Sequence, residues 1–556
     1  MRAALKRLFS RKTIGRDAVA GLVLGVEAVP DGLAAGLLAG INPLAGLYAY
    51  LFGMVGATLF TSSAFMAVQA TGAMALIVSD SDLESRADPD RALFTLAILT
   101  GIVMVIAGLL RGGRLVRFVP TAVMTGFLTA VGVNIILGQL SNLTGFASEG
   151  SNRLVKLIDL LAHIPQWSLA SILVGAVVIG VILLFRITPV GSLGLVLAVI
   201  IGSLLAALLN IWAGPPVQQL QDIVDVPSGL PAPVLPSIID VPFLLLPAIS
   251  LAFVGLIQGA AVSPGLPTPD GKPADMSRDF IGQGAGNIAA GIFQGMPVGG
   301  SMSGSSLIVA AGAKTKLAFF VAGIVMSIVI LFASDLVAFV AMPALAALLI
   351  VIGAAAIKPS RIFSVIKSGP LPASIMAVTF ALTLVIPLQF AVLVGVGLGI
   401  ILFVAQQSNR VRVRQLHIHE SGRMREGDPP PIIPAREVVI LQPYGSLFFA
   451  SAPVFEHQLP TVSSASRDSV VIIRLRGTDQ IGLSLVDVLR RYAHDLRDAD
   501  SSLKLVISEQ RVLDLVESSG LADELGPKNI YRSTEWVGET VRRAHAEALA
   551  DLAARN

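Results

Sequence analysis

The residues best able to do chemistry in this chain sit where apolar segments break. Gly299-Gly-Ser-Met-Ser-Gly-Ser-Ser306 puts glycines and hydroxyls inside an otherwise hydrophobic run. Lipid offers no water to a free N–H, so irregular backbone at that depth is tolerated only where it lines a cavity. If a half-helix starts at such a break, its unpaired N–H groups and positive dipole end can receive an anion without a fixed cation. The candidates are Ser301, Met302, Ser303 and Gly304, whose small side chains allow close approach while the hydroxyls donate hydrogen bonds. A second short segment, 66–79, offers Thr71, Gly72 and Ala73. The plainer reading is that these small residues only let helices pack closely, and the pairing of two breaks favours a site.

Two acids form a further constellation. Glu27 and Asp31 are four residues apart and share a helix face, with Pro30 between them to kink the helix and free a carbonyl. An acid in a membrane interior is costly and by default marks an ion or proton path. Asp31 is expected to supply coupling, by protonation or by binding Na⁺ with freed carbonyls and hydroxyls. The structural alternative is an acid kept protonated and bonded to a neighbouring helix.

These residues must be positioned by membrane helices. Of 556 residues, 54% are hydrophobic and 14% charged, which excludes a soluble enzyme and disorder. There are no cysteines, hence no disulfides, thiolate metal sites or Cys catalysis. The basic start (Arg2, Lys6, Arg7, Arg11, Lys12, Arg16) lacks a following cleavage site and reads as a cytoplasmic flank over 1–16. About 20 apolar residues cross a bilayer. On that template fourteen helices lie near 18–37, 42–60, 66–79, 92–110, 118–140, 168–186, 190–212, 242–262, 280–294, 301–311, 317–334, 343–357, 373–386 and 388–406, within a transport domain of 17–407. The third and tenth are too short to span unaided. They stand seven apart, and seven spans reverse the topology, so the halves are read as inverted repeats whose short helices meet at the midplane.

Loop charge fits this count. Inside loops hold Arg111, Arg114, Arg117, Arg186, Lys272, Arg278, Lys314, Lys316, Lys358, Arg361 and Lys367, while the outside loops include acidic Ser79-Asp-Ser-Asp-Leu-Glu84 and 213–241 without Lys or Arg. Arg153 and Lys156 are the exceptions. The expectation is a multi-pass protein of the cell (inner) membrane with both termini cytoplasmic.

Beyond a linker at 408–435, marked by Gly427-Asp-Pro-Pro-Pro431, strands read at Val438–Phe449, Val470–Leu475 and Lys504–Ser508 alternate with helices such as Leu483–Arg497 and Gln510–Ser518. That pattern predicts a small α/β domain over 436–545 with a tail at 546–556.

Several motifs together carry a family resemblance. They are Asp17-Ala-Val-Ala-Gly-Leu22 through Val29-Pro30 to Leu38-Ala-Gly40, Gly46-Leu-Tyr48, Gly282-Gln-Gly-Ala-Gly-Asn287, Gly295-Met-Pro-Val-Gly-Gly-Ser301 and Ala311-Gly-Ala313. Over nearly its whole length, the chain resembles the sulfate permease (SulP) family of anion transporters. Its tail, with Ser446-Leu-Phe-Phe-Ala450 and Leu515-Val-Glu-Ser-Ser-Gly520, resembles that family's STAS domain. The resemblance implies an α-helical polytopic protein of seven plus seven inverted spans, divided into core and gate, with a cytoplasmic STAS domain. It also implies elevator-like motion and homodimers.

Three positions depart from the family pattern. Gly304 stands where many members carry Arg, Gln258 in Gly255-Leu-Ile-Gln258 where many carry Glu, and Ala70-Thr71 where Gly-Pro is usual. Losing both Arg and Glu leaves the formal charge unchanged. The site is then expected to bind through dipoles and hydroxyls, favouring a small or singly charged anion. Asp31 stands where other members have a neutral polar group near the substrate. Glu27, Asp31 and Gln258 are the candidate coupling positions, with Na⁺ or H⁺ as coupling ion and neither cofactor nor resident metal.

The resulting expectation is a secondary active transporter of a small anion of the bicarbonate, sulfate, dicarboxylate or chloride class. The alternatives are a nucleobase-type carrier of neutral solutes on the same fold, an anion channel, or a STAS scaffold with vestigial transport. The partners expected are the lipid bilayer, a second copy and cytoplasmic proteins at the STAS domain, with no nucleic acid. His417 and His419 read as a solvated strand rather than a metal site, and no Walker motif appears. Asp479-Gln-Ile-Gly482 lacks the serine of the phosphorylation motif of related anti-sigma-factor antagonists, which points to a regulatory contact role.

Overall fold

The computed structural model describes residues 11–113, 119–150, 152–186, 188, 193–212, 216–224, 229–263, 266, 274–419, 422–476 and 481–555. Arg2, Lys6, Arg7, Arg114, Arg117, Lys272 and Asp479 lie outside that set. The chain forms two compact units, 1–399 and 400–556.

Fourteen membrane-crossing elements are present among the described residues. Spans 1 and 2 are Arg11–Leu38 and Pro43–Phe60, and span 3 joins strand β1 (Ala67–Gln69) to the half-helix Gly72–Ser79. Spans 4 to 9 are Pro89–Leu109, Thr121–Thr144, Leu169–Arg186, Leu193–Trp212, Val241–Val262 and Met276–Ile292. Span 10 joins β2 (Gly299–Ser301) to the half-helix Met302–Ala310, and spans 11 to 14 are Leu317–Phe332, Met342–Ala356, Pro370–Val385 and Leu388–Ser408. Eight described helices are long and apolar enough to cross a bilayer alone. Span 9 is not one of them, because Asp279, Gln283 and Asn287 make it too polar for lipid, and all three side chains are buried in protein instead.

The packing partners reveal the repeat. Span 1 packs on 11 as span 8 packs on 4, and span 5 packs on 13 as span 12 packs on 6. Spans 2 and 9, 5 and 12, and β1 and β2 pair with their own counterparts. A shift of seven maps each contact onto another, and the odd number makes the repeats inverted. The same contacts separate a core (spans 1–4 and 8–11) from a gate (5–7 and 12–14). Small residues tighten the core: a Cβ on Gly46 would fall 2.0 Å from Gly32 O, and Gly101 and Gly284 cross spans 4 and 9 with the same reciprocal closeness.

Two buried acids brace loops. Asp279 on span 9 accepts hydrogen bonds from Thr61 Oγ1, Ser62 N and Oγ, Ser63 N and Oγ, and Ser263 Oγ, all at 2.7–2.9 Å. Asp17 accepts from the N–H groups of Lys314 and Thr315 and from Thr315 Oγ1. Arg153, an exception to the loop-charge rule, is neutralised by Asp80 at 3.0 Å. Sequence periodicity gave no helix for 153–162, where Arg153–Ala162 forms a short amphipathic one.

The second unit is a six-stranded sheet of β3 (Arg412–Ile418), β4 (Met424–Gly427), β5 (Val438–Tyr444), β6 (Val470–Leu475), β7 (Ser502–Ile507) and β8 (Ile530–Arg532), in the order β4-β3-β5-β6-β7-β8. Strands β5 to β8 are parallel, and β3 runs antiparallel to both its neighbours. Buried parallel strands read as continuous apolar runs, which is why β5, β6 and β7 were visible in the sequence while β8, three residues long and partly exposed, was not. One face packs on Leu485, Leu489, Val512 and Val516, and the other on Val541, Ala544, Ala548 and Leu552 of the helix Glu539–Arg555. The segment read as a linker, 408–435, therefore contributes two strands, and residues 546–555 of the segment read as a tail belong to this cover helix. The two strands were missed because β3 and β4 are half-exposed and polar.

Candidate functional site

The two half-helices meet head to head. Thr71 caps Gly72–Ser79: its Oγ1 accepts from Met74 N–H at 3.4 Å and donates its own proton to Gln258 Oε1 at 2.9 Å. Ser301 caps Met302–Ala310, its Oγ accepting from Gly304 N–H at 3.2 Å. The strands before them pair antiparallel, with Ala67 opposite Ser301, Val68 opposite Gly300 and Gln69 opposite Gly299. Ser305 strengthens the join, accepting from Ala67 N–H at 2.9 Å and donating to Ser301 O at 2.5 Å. The N–H groups of Gly72, Ala73, Met302 and Ser303 fall in first turns, where no intrahelical acceptor exists. Two positive dipole ends thus converge.

They converge on a cavity of about 400 Å³. Asp31, Thr71, Gly72, Gln258, Ser301, Met302 and Ser303 all line it. Glu27, Ala73 and Gly304 do not. Glu27 is buried one turn before Asp31, with Oε2 lacking a hydrogen-bond partner. Ala73 is buried within the core. Gly304 faces away from the cavity: a Cβ there would fall 2.2 Å from Gln69 Oε1. The helix of span 1 continues through Pro30, and Asp31 is held from outside it.

Its holder is Tyr50, which sequence reasoning missed. Tyr50 lies in a π-helical turn, Ala49–Gly53, that interrupts span 2, a distortion frequent at functional sites. Its hydroxyl is 2.5 Å from Asp31 Oδ2 and 3.1 Å from Ala70 O. Gln283 and Asn287 were also missed, because their motif entered only as part of the family resemblance. Gly300 N–H donates to Gln283 Oε1 at 3.0 Å, and Asn287 exchanges two hydrogen bonds with the backbone of Val298. The glycines between them pack; the amides hold β2 in place. Lys358 and Arg361, read only as inside-loop charges, also line the cavity. Among the described residues no group of three His, Asp or Glu could hold a metal ion.

Opposed broken helices in inverted repeats, split into core and gate, define a membrane transporter rather than an enzyme. The sulfate permease family profile matches residues 14–379 and the STAS domain profile residues 431–537. The chain belongs to the sulfate permease family. It is 31% identical to "Putative sulfate transporter YbaR" of Bacillus subtilis over 406 residues, which covers 71% of this chain and 78% of that protein. It is 28% identical to "Bicarbonate transporter BicA" of Picosynechococcus, covering 72% and 71%. The murine Slc26a9 anion transporter in the inward-facing state superposes with a TM-score of 0.83 at 18% identity, covering 97% of this chain and 92% of that one, a likeness of fold.

Proposed function

We propose that the chain is a secondary active carrier of small anions that works by elevator-type alternating access, the core carrying the cavity past the gate. The observation that supports this most is the pair of capped, opposed half-helix N-termini facing one cavity beside Asp31. Backbone N–H groups and hydroxyls without a core cation suit a small or singly charged anion, of the bicarbonate or chloride class before sulfate or a dicarboxylate. Asp31 is the coupling acid. Its single shared proton with Tyr50 favours H⁺ over Na⁺, since the phenol offers a carboxylate what a cation would otherwise supply. We further assign a homodimer in the inner membrane, both termini cytoplasmic, with the STAS domain as a regulatory contact surface.

Flux in proteoliposomes tests the reading. Saturable anion uptake, accelerated by anion on the opposite side and driven by a pH gradient, is the expected result. Conductance without saturation would make the protein a channel. Saturable exchange of a nucleobase without anion flux would make it a neutral-solute carrier.

A further inference from the structure

We propose that the positive charge at this site is supplied by Lys358 and Arg361, from the gate rather than the core, and that it acts on the anion only while the cavity faces the cytoplasm. The inference rests on the carrier reading above.

The core has no room for a cation where the family resemblance would put one. The volume into which a side chain at 304 would project is filled by Gln69, which is 0% exposed and whose Oε1 and Nε2 both lack hydrogen-bond partners. A buried amide left unpaired is costly, so this side chain is held by packing and closes off the direction to Gly304. The basic residues of the cavity lining are Lys358 and Arg361, and its one acidic residue is Asp31.

Both cations belong to the gate. Lys358 follows span 12, and Arg361 lies in the short helix Pro359–Lys367 that leads to span 13. Lys358 Nζ is 3.5 Å from Met302 Sδ, beside the first residue of the span 10 half-helix. Met302 is 41% exposed and Ser303 and Lys358 are exposed, so the cavity is open on this side. Loop charge assigns that side to the cytoplasm. Lys358 therefore touches the half-helix across the core–gate boundary. Any rise of the core past the gate separates Met302 from Lys358, and the anion leaves the field of both cations. At a watery mouth such charges concentrate anions and hasten their capture. The carrier then has a stronger cytoplasmic than outer affinity, without any change in the groups that touch the anion directly.

The cysteine-free chain allows a direct charge test. Lys358→Cys and Arg361→Cys are reconstituted in known orientation, and KM for chloride and bicarbonate exchange is measured at each face. The cytoplasmic KM is expected to rise about fivefold in each variant, the size of an exposed charge contribution. Aminoethyl methanethiosulfonate should restore it and the sulfonatoethyl reagent should raise it further, with the outer KM unchanged throughout. Rescue on the same preparation separates charge from misfolding. Equal changes at both faces, or indifference to the sign of the attached charge, overturn the inference and leave the carrier reading intact. Wild-type protein that exchanges no anion at all overturns both.

Discussion

The hydroxyl of Tyr50 stands between Asp31 Oδ2, at 2.5 Å, and the carbonyl of Ala70, at 3.1 Å, with one proton for two acceptors. When Asp31 is ionised the phenol donates to it, and the Ala70 carbonyl goes without. When Asp31 is protonated it can donate to Tyr50, which then donates to Ala70. Ala70 immediately precedes Thr71, the cap of the span 3 half-helix, so a proton on Asp31 is linked to the backbone at the start of that half-helix.

Asp31→Asn is accordingly expected to keep anion exchange and lose drive by a pH or Na⁺ gradient, since the amide cannot change charge. Tyr50→Phe should weaken the coupling, because it removes the hydroxyl that links Asp31 to Ala70, and slow uptake about tenfold, the cost of leaving one buried acceptor unpaired. Uptake under imposed gradients measures both. Full gradient dependence in Asp31→Asn would rule out coupling through this acid.

Removing the caps should weaken anion binding from both halves. Thr71→Ala and Ser301→Ala each free one first-turn N–H and remove one hydroxyl, at about 1 kcal/mol of stability apiece. KM for anion exchange is expected to rise in both, and in Thr71→Ala the Gln258 carboxamide also loses its donor. Unchanged KM in both variants would place the anion elsewhere.

Gly304→Ala should destabilise by about 1–3 kcal/mol, because the new methyl meets the buried Gln69 amide. Gln69→Ala should recover most of that loss, giving a coupling energy of about 1 kcal/mol or more in a double-mutant cycle read by thermal unfolding. Gly304→Arg, paired with Gln258→Glu to restore the family's charges, is therefore expected to fold well only with Gln69→Ala. A change of substrate preference in that triple variant would support selectivity through the missing charges.

In the second unit, His545 on the cover helix has its pKa held below 6.5 by burial. A depressed histidine contributes stability above its unfolded pKa and loses it as pH falls through the folded value. Protection factors for hydrogen exchange across Glu539–Arg555 in the full-length protein, taken against the intrinsic rate at each pH, should therefore fall as pH drops below about 6.5. His545→Leu should flatten that dependence.

How much could be seen beforehand depends on which residues carry the signal. Most of the spans were legible because apolar runs near 20 residues have no soluble alternative, and the paired breaks were legible because Gly299-Gly-Ser and Thr71-Gly72 interrupt apolar segments. The strand pairing between them was not: three residues are too few to show a period of two. Tyr50 was hidden for a similar reason, since a π-helical turn has no sequence signature and an aromatic inside an apolar run reads as packing. Lys358 and Arg361 read as inside-loop charges, but nothing local says that a loop residue lines a cavity built by other spans. Gly304 was named for what a relative carries there, whereas the space it leaves is used by Gln69, 235 positions earlier, a relationship only tertiary packing can show.

The three-residue ladder joining Ala67–Gln69 to Gly299–Ser301 also limits how this protein can evolve. Side chains alternate along a strand, so losing or gaining one residue there would exchange Val68 for Gln69 in every contact on both sheets of packing around it. It would also turn each cap away from its half-helix. Neither strand can absorb the slip, because each is the other's only described ladder partner. Substrate range in this lineage is thus open to point substitution around the cavity but closed to insertion and deletion at its floor, and alignments of its members should carry no gap through either tripeptide.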